Sequence, residues 1–407
     1  MRNSYAILLL LLIFCTNLRA EKINFLFYSE EIEINYDPQM VADMEISMDN
    51  EAAFHKFYNH LENTNYLTVF SNLFHYKADM HLNDWLFFVL VYETADKMYM
   101  GKPENYRVLF SWFIMQKAGY SMQLVSNSAS SLSLCVFTPD VLYDIPSAAD
   151  EKQMVNIIDE NNRQTLKMGY YVDVTAVFKN TQSSSSNQVQ TIITSPSRRV
   201  GRPFSFVMKE PPVFTNPVIE KKEYTFIHDN AEYKFSADVN KSIIYAFHSY
   251  PQFSVRGHLP TPLSPEVQNS LLSQLRTAIS GLNQYEAIRL LLSFTRQSFQ
   301  YETDDIAYKR ANLTFFAEET LFYKNSDCED RSVLFHALVK ELLNIDVQLI
   351  AYSDHITTAV LLDEPVGKIF EYEGKKYTIC DPTGPGNHLH PGEVADAYAN
   401  KIPVLAD

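Results

Sequence analysis

Cysteine is scarce in this chain, four in 407 residues, tryptophan scarcer at two, and glycine numbers only 11. So few thiols cannot staple a chain of this length, which argues against a disulfide framework as the basis of the fold. Basic residues are also short, 34 Lys+Arg against 49 Asp+Glu, giving a formal net charge of −15. A phosphate-backbone binder needs clustered Lys and Arg to displace counterions, so nucleic acid is not an expected partner. The apolar run at residues 7–14 falls short of the roughly 20 residues that a spanning helix requires. What is plentiful is apolar surface: 46% hydrophobic and 13% aromatic residues are incompatible with wholesale disorder. At roughly 150 residues per domain there is room for two or three cores.

Residues 1–20 read as an export signal, with Arg2 in a short positive start, the apolar run behind it, and Ala20 as the small residue before Glu21. Cys15 follows the bulky Phe14, a poor context for lipidation. Export to a periplasmic, cell-surface or extracellular location is the expectation, with membrane attachment only through an uncleaved signal or lipid anchor. The remaining thiols are Cys135, Cys328 and Cys380. An odd number leaves at least one of them free.

A pattern recurs along the chain. Leu82-Asn83-Asp84-Trp85 and Leu282-Asn283-Gln284-Tyr285 each precede an apolar helix, and Val108-Leu109-Phe110 leads to Gln123-Leu124-Val125 as Val333-Leu334-Phe335 leads to Gln348-Leu349-Ile350. This predicts one unit of helix, loop, helix and strands used twice. Between the two, alternation at residues 171–177 and β-type runs at 189–194, 224–227, 233–235 and 243–247 predict a β-rich, sandwich-like middle. Ser264-Pro265-Glu266 opens a helix, with a cap residue and Pro in the first turn. The expected division is residues 21–150, 151–262 and 263–407, in an α+β fold.

Chemistry concentrates in the last segment. Ser326 with Glu329 three residues later is a capping-box pattern that sets Cys328 in the first turn of a helix. Free N–H groups and the helix dipole favour a thiolate there, while Asp327, Glu329 and Asp330 oppose it. A cationic partner is needed, and His355, at the start of a predicted strand, is the candidate. Asp381, at the end of the next predicted strand, could accept a hydrogen bond from the imidazole and fix its tautomer. Each residue also has a plainer reading: a small buried Cys, a strand-end His, and an Asp that opens a turn before Pro382. Cys380 reads as packing. His388, His390 and Glu393 lie in a Gly/Pro-rich stretch and read as a polar surface loop, so no metal and no cofactor are expected.

Asp327-Cys328-Glu329-Asp330, Ser353-Asp354-His355 and Cys380-Asp381-Pro382-Thr383, with the lead-in Phe299-Gln300-Tyr301, together resemble the transglutaminase-like superfamily over roughly residues 264 to 390. That resemblance implies a papain-like α+β core, a helix packed on an antiparallel sheet, with Cys328, His355 and Asp381 as a Cys-His-Asp triad. It implies thiol-based attack on a peptide or carboxamide carbonyl, a thioester, and transfer to water or an amine without a cofactor. Hydrolysis of a protein, peptide or cell-envelope polymer is favoured over cross-linking. Ser326 and the Ile356-Thr357 pair depart from the family pattern. In the first unit Pro103, Ser130 and Asp144 fall at the corresponding positions, so it reads as a degenerate relative. The competing reading is a peptide- or glycan-binding scaffold in which both units are inert.

Overall fold

The computed structural model describes residues 20–43, 51–128, 131–143, 153–158, 164–179, 191–192, 201–310, 313–383 and 389–407. The export signal expected at residues 1–20 therefore lies, but for its last residue, outside the described residues. No helix among the described residues is long and apolar enough to cross a membrane. The chain is a mixed α+β structure built on antiparallel sheets.

The first half begins with a hairpin, β1 (Glu21–Phe27) and β2 (Glu30–Tyr36). Helices α1 (Glu51–Glu62), α2 (Tyr66–Asp79), α3 (Asp84–Met98) and α4 (Asn105–Lys117) follow. Strands β3 (Met122–Ser128), β4 (Ser131–Thr138), β5 (Gln153–Ile158), β6 (Gln164–Asp173) and β7 (Thr191–Ile192) form one antiparallel sheet in the order β5-β6-β4-β3-β7.

The second half also begins with a hairpin, β8 (Ile219–His228) and β9 (Ala231–Asn240), then helix α5 (Lys241–His248). A helical stretch at residues 265–278, opened by the Ser264 cap, comes next, and then α6 (Gln284–Gln297) and α7 (Cys328–Leu343). Strands β10 (Val347–Tyr352), β11 (His355–Val360), β12 (Ile369–Tyr372), β13 (Lys375–Cys380) and β14 (Val404–Leu405) form the second antiparallel sheet, in the order β12-β13-β11-β10-β14. Strand for strand, the two sheets share one topology. The Leu-Asn pairs noticed in the sequence serve the same purpose in both halves. Asn83 Oδ1 accepts from the Leu86 N–H at 3.1 Å and Asn283 Oδ1 from the Glu286 N–H at 2.9 Å, each capping the helix that follows.

Apolar burial holds each half together. Trp85, Phe88, Phe110, Phe113 and Leu124 are buried in the first core, and Leu291, Phe294, Leu334, Leu338 and Val360 in the second. Each such side chain contributes about 1.5–3 kcal/mol. Trp112, at 3% exposure, is part of the first core.

The middle differs from expectation. The stretch 243–247 is helical, because Asn240 caps it, its Oδ1 accepting from the Ser242 N–H at 3.0 Å. Ile243 and Phe247 then recur one helical turn apart, a spacing that prevails over their β-type composition. Strands from residues 151–262 do not form a sandwich of their own among the described residues. β6 pairs with β4 across the boundary drawn at residue 150, with Cys135 opposite Asp173. The β8-β9 hairpin contributes Tyr224, Phe226, Ala237 and Val239 to the second core. Helix α5 serves both: Ile243, Ala246 and Phe247 enter the first core, Ile244 the second. Phe316, from the second half, stacks on Phe247 at 4.4 Å in the first core.

Candidate functional site

Helix α7 starts at Cys328, but its cap is one residue later than the Ser326/Glu329 pattern suggests. Asp327 is the N-cap, and Asp330, three residues on, accepts from its N–H at 3.2 Å. Ser326 instead pairs with Tyr301 in a two-residue parallel bridge, and its Oγ accepts from Arg331 Nε at 3.0 Å. Arg331 also donates to the carbonyls of Phe299 and Arg296, at 2.8 and 3.3 Å. The Phe299-Gln300-Tyr301 segment is thereby fixed to the start of the helix that carries Cys328.

His355 opens β11 opposite Tyr352. Its Nε2 meets Asp381 Oδ2 at 3.1 Å, and its ring stacks on Tyr398 at 5.1 Å, which in turn stacks on Tyr352 at 4.6 Å. Asp381 follows β13 and is held on its other side: Oδ1 accepts from the Thr383 N–H at 2.9 Å and the Thr383 hydroxyl at 2.6 Å. Arg296 donates to the Asp381 carbonyl at 2.8 Å and to the Leu389 carbonyl at 2.7 Å, fixing the backbone behind the carboxylate. Burial alone would raise the Asp381 carboxyl. The hydrogen bond and charge of His355, with the two hydrogen bonds from Thr383, outweigh it and lower the carboxyl to about 2. Nε2 being engaged, Nδ1 is the ring nitrogen left for a second partner.

The sulfur of Cys328 lies beside this pair without being bonded to the imidazole. Its thiol donates to Glu329 Oε2 at 2.7 Å and receives the backbone N–H of Ile356, the residue next to His355. No hydrogen bond joins Sγ to His355. Burial, then the carboxylates of Glu329 and Asp327, push the thiol up, so the resting sulfur is protonated. Of the three residues singled out by sequence, the structure joins His355 to Asp381 and sets Cys328, at the helix start, against the N–H of Ile356, the strand residue after His355. Cys328 is partly exposed, whereas Cys380 is buried in the second core.

The first half contains corresponding positions. Asn105 is the first residue of α4, as Cys328 is of α7, and its Oδ1 accepts from the N–H of Leu132, second residue of β4, at 3.0 Å. Ser131 opens β4 as His355 opens β11. Asp173 Oδ1 accepts from the Thr175 N–H at 3.0 Å and the Thr175 hydroxyl at 2.6 Å, repeating the Asp381–Thr383 clamp. By place in their elements Asn105 and Ser131 resemble Cys328 and His355, and by its threonine clamp Asp173 resembles Asp381. Pro103 precedes the helix, and Ser130 and Asp144 lie outside the described residues.

His388 also lies outside the described residues, and His390 donates its backbone N–H to Glu393 Oε2 at 2.8 Å, which closes the loop. His228, Asp229 and Glu286 could meet a metal ion. Arg289 already spans the two acids, at 2.6 Å to each. A cavity of about 210 Å³ lies there, lined by His228, Arg289, Arg296 and His390, and another of about 820 Å³, lined by Tyr92, Glu93, Asp96, Arg107 and Phe178, lies in the first half. Neither is lined by Cys328.

Reasoning from sequence missed Tyr398, Thr383, Arg296 and Arg331. The recurrence of Asp-x-Thr, at Asp173 and Asp381, was the available signal for Thr383. Compared with protein-family models, curated proteins and solved structures, the chain matches none.

Proposed function

We propose that this chain is an exported, thiol-dependent acyl-transfer enzyme of transglutaminase-like architecture, with Cys328 as nucleophile, His355 as base and Asp381 as the group that orients it. The two halves are copies of one unit, and the first has lost its nucleophile and base. The observation that carries the reading is the engagement of His355 Nε2 by Asp381, at 3.1 Å, one residue from the N–H that touches the Cys328 sulfur. A buried carboxylate clamped on both sides, joined to a strand-end imidazole beside a partly exposed thiol, has the chemical logic of an activated nucleophile.

Rotation of the thiol away from Glu329 would let its proton pass to His355 Nδ1. The sulfur then attacks a carboxamide or peptide carbonyl carbon, forming the C–S bond as the carbonyl electron pair moves to oxygen. The Cys328 N–H, unpartnered within its helix, is one donor for that oxyanion. Collapse breaks the C–N bond, His355 returning the proton to the leaving amine. Water, deprotonated by His355, then adds to the thioester carbonyl, the C–S bond breaks, and the Cys328 sulfur leaves with the proton that His355 returns, freeing an acid. Hydrolysis of a protein, peptide or envelope polymer is preferred to cross-linking, since it needs no site for a second amine.

A second reading, an inert binding scaffold, draws on the thiol's bond to Glu329. Alkylation near neutral pH separates the two. Labelling of Cys328 faster than a peptide thiol, and lost in a folded His355→Ala variant, is the expected result. Labelling at or below the peptide rate in the parent protein overturns the enzyme.

A further inference from the structure

We propose that Asp304, Asp327 and Asp330 form a binding site for a hard divalent cation, calcium in preference to magnesium, behind the first turn of α7. One oxygen from each carboxylate can be chosen so that all lie within 4.8 Å of one another, about twice a Ca–O bond of roughly 2.4 Å. The three side chains are at most 7% exposed. Asp304 Oδ1 and Asp327 Oδ1 are both buried with no hydrogen-bond donor among the described residues. Two orphaned carboxyl oxygens in one buried cluster are costly unless a partner meets them, and a cation is a partner that three acids can share.

Three of the other four oxygens are held by separate stretches of backbone. Leu313 N–H donates to Asp304 Oδ2 at 2.6 Å, Phe315 N–H to Asp330 Oδ1 at 2.8 Å, and Asp327 N–H to Asp330 Oδ2 at 3.2 Å. The cluster is therefore a preset cradle, formed where the helical turn at Asp304–Ala307 and the irregular stretch 313–316 meet the helix start. Arg331, on the same helical turn, spends its guanidinium on Ser326 and on the carbonyls of Arg296 and Phe299. Donors that are all oxygen select a hard ion over zinc. A buried site with irregular donors suits calcium, whereas magnesium demands an octahedron and retains its waters. The site asks nothing of Cys328 and stands whether or not the chain is an enzyme.

The test is titration of the full chain, stripped with a chelator, with calcium and with magnesium chloride, read by calorimetry and by thermal midpoint. One calcium per chain, bound at least about tenfold more tightly than magnesium, and a midpoint that rises with calcium, are expected. Terbium is the second probe, because the Tyr308 ring lies close enough to Asp304 and Asp330 to feel their charge and can sensitise its emission. Asp304→Asn and Asp327→Asn, each checked for folding by circular dichroism, should each weaken both ions at least about tenfold. Failure of the parent protein to bind either ion at millimolar concentration overturns the site. So does unchanged binding in both variants, or a variant that gains stability when no ion affects the parent, which would mean that the acids share protons.

Discussion

The two five-stranded sheets are the same object in outline and different objects in chemistry. Both follow a hairpin and a pair of contacting helices, both have one strand order, and both end a strand with an aspartate clamped by a threonine two residues on. At the helix start and the neighbouring strand start, however, one half carries Asn105 and Ser131, the other Cys328 and His355. Asn105 bonds the strand N–H through an amide, where Cys328 meets the equivalent N–H through sulfur. Scaffold contacts that lock backbone are common to the halves. Groups that could move a proton or an acyl chain belong to one.

If the halves share a scaffold, equivalent core truncations should cost alike. Leu109→Ala and Leu334→Ala, both fully buried, should each destabilise by about 2–5 kcal/mol in urea unfolding. A marked inequality would show that the cores are not comparable. Next in size is the carboxylate. The Asp381 carboxyl is lowered from 3.8 to about 2 in the folded chain, so its stabilisation is present above about pH 4 and lost as pH falls through 2. That difference corresponds to about 2 kcal/mol. Asp381→Asn should lose this amount at pH 7 and none near pH 1, whereas Asp173→Asn, without an imidazole partner, should lose less at pH 7.

Smaller effects separate the chemistry. His355→Ala should slow alkylation of Cys328 near neutral pH by about tenfold or more, and Ser131→Ala should leave it unchanged. Glu329→Gln removes a carboxylate that holds the thiol protonated. It should speed alkylation by about threefold to tenfold, while Glu104→Gln, before the equivalent helix, should not.

Much of this contrast could be read from residues. The Asn83 and Asn283 caps, the apolar helices behind them, and the Cys328, His355 and Asp381 positions followed from local rules of capping, period and strand ends. Residues 243–247 were misread because Ile and Phe suit either strand or helix, and the decision lay with Asn240 upstream. The capping pattern slipped by one because Ser326 was taken into a bridge with Tyr301, a pairing made by distant sequence. Tyr398, beneath His355, was invisible for the same reason: only the folded sheet brings it there. Loop lengths differ between the halves, so a fixed offset from Cys328 falls on Pro103, ahead of the helix, and it is the shared Asp-x-Thr clamp that likens Asp173 to Asp381.

Helix α5 lends three side chains to one core and one to the other, and Phe316 crosses back from the second half to the first. Melting either half strips hydrophobic wall from its neighbour, so heat should dissolve the chain in a single calorimetric transition. The first half, with Asn105 and Ser131 where the second has Cys328 and His355, thus supplies hydrophobic wall to its neighbour. Deleting it would leave Ile243, Ala246, Phe247 and Phe316 bare to water, a sticky scar on the surviving half.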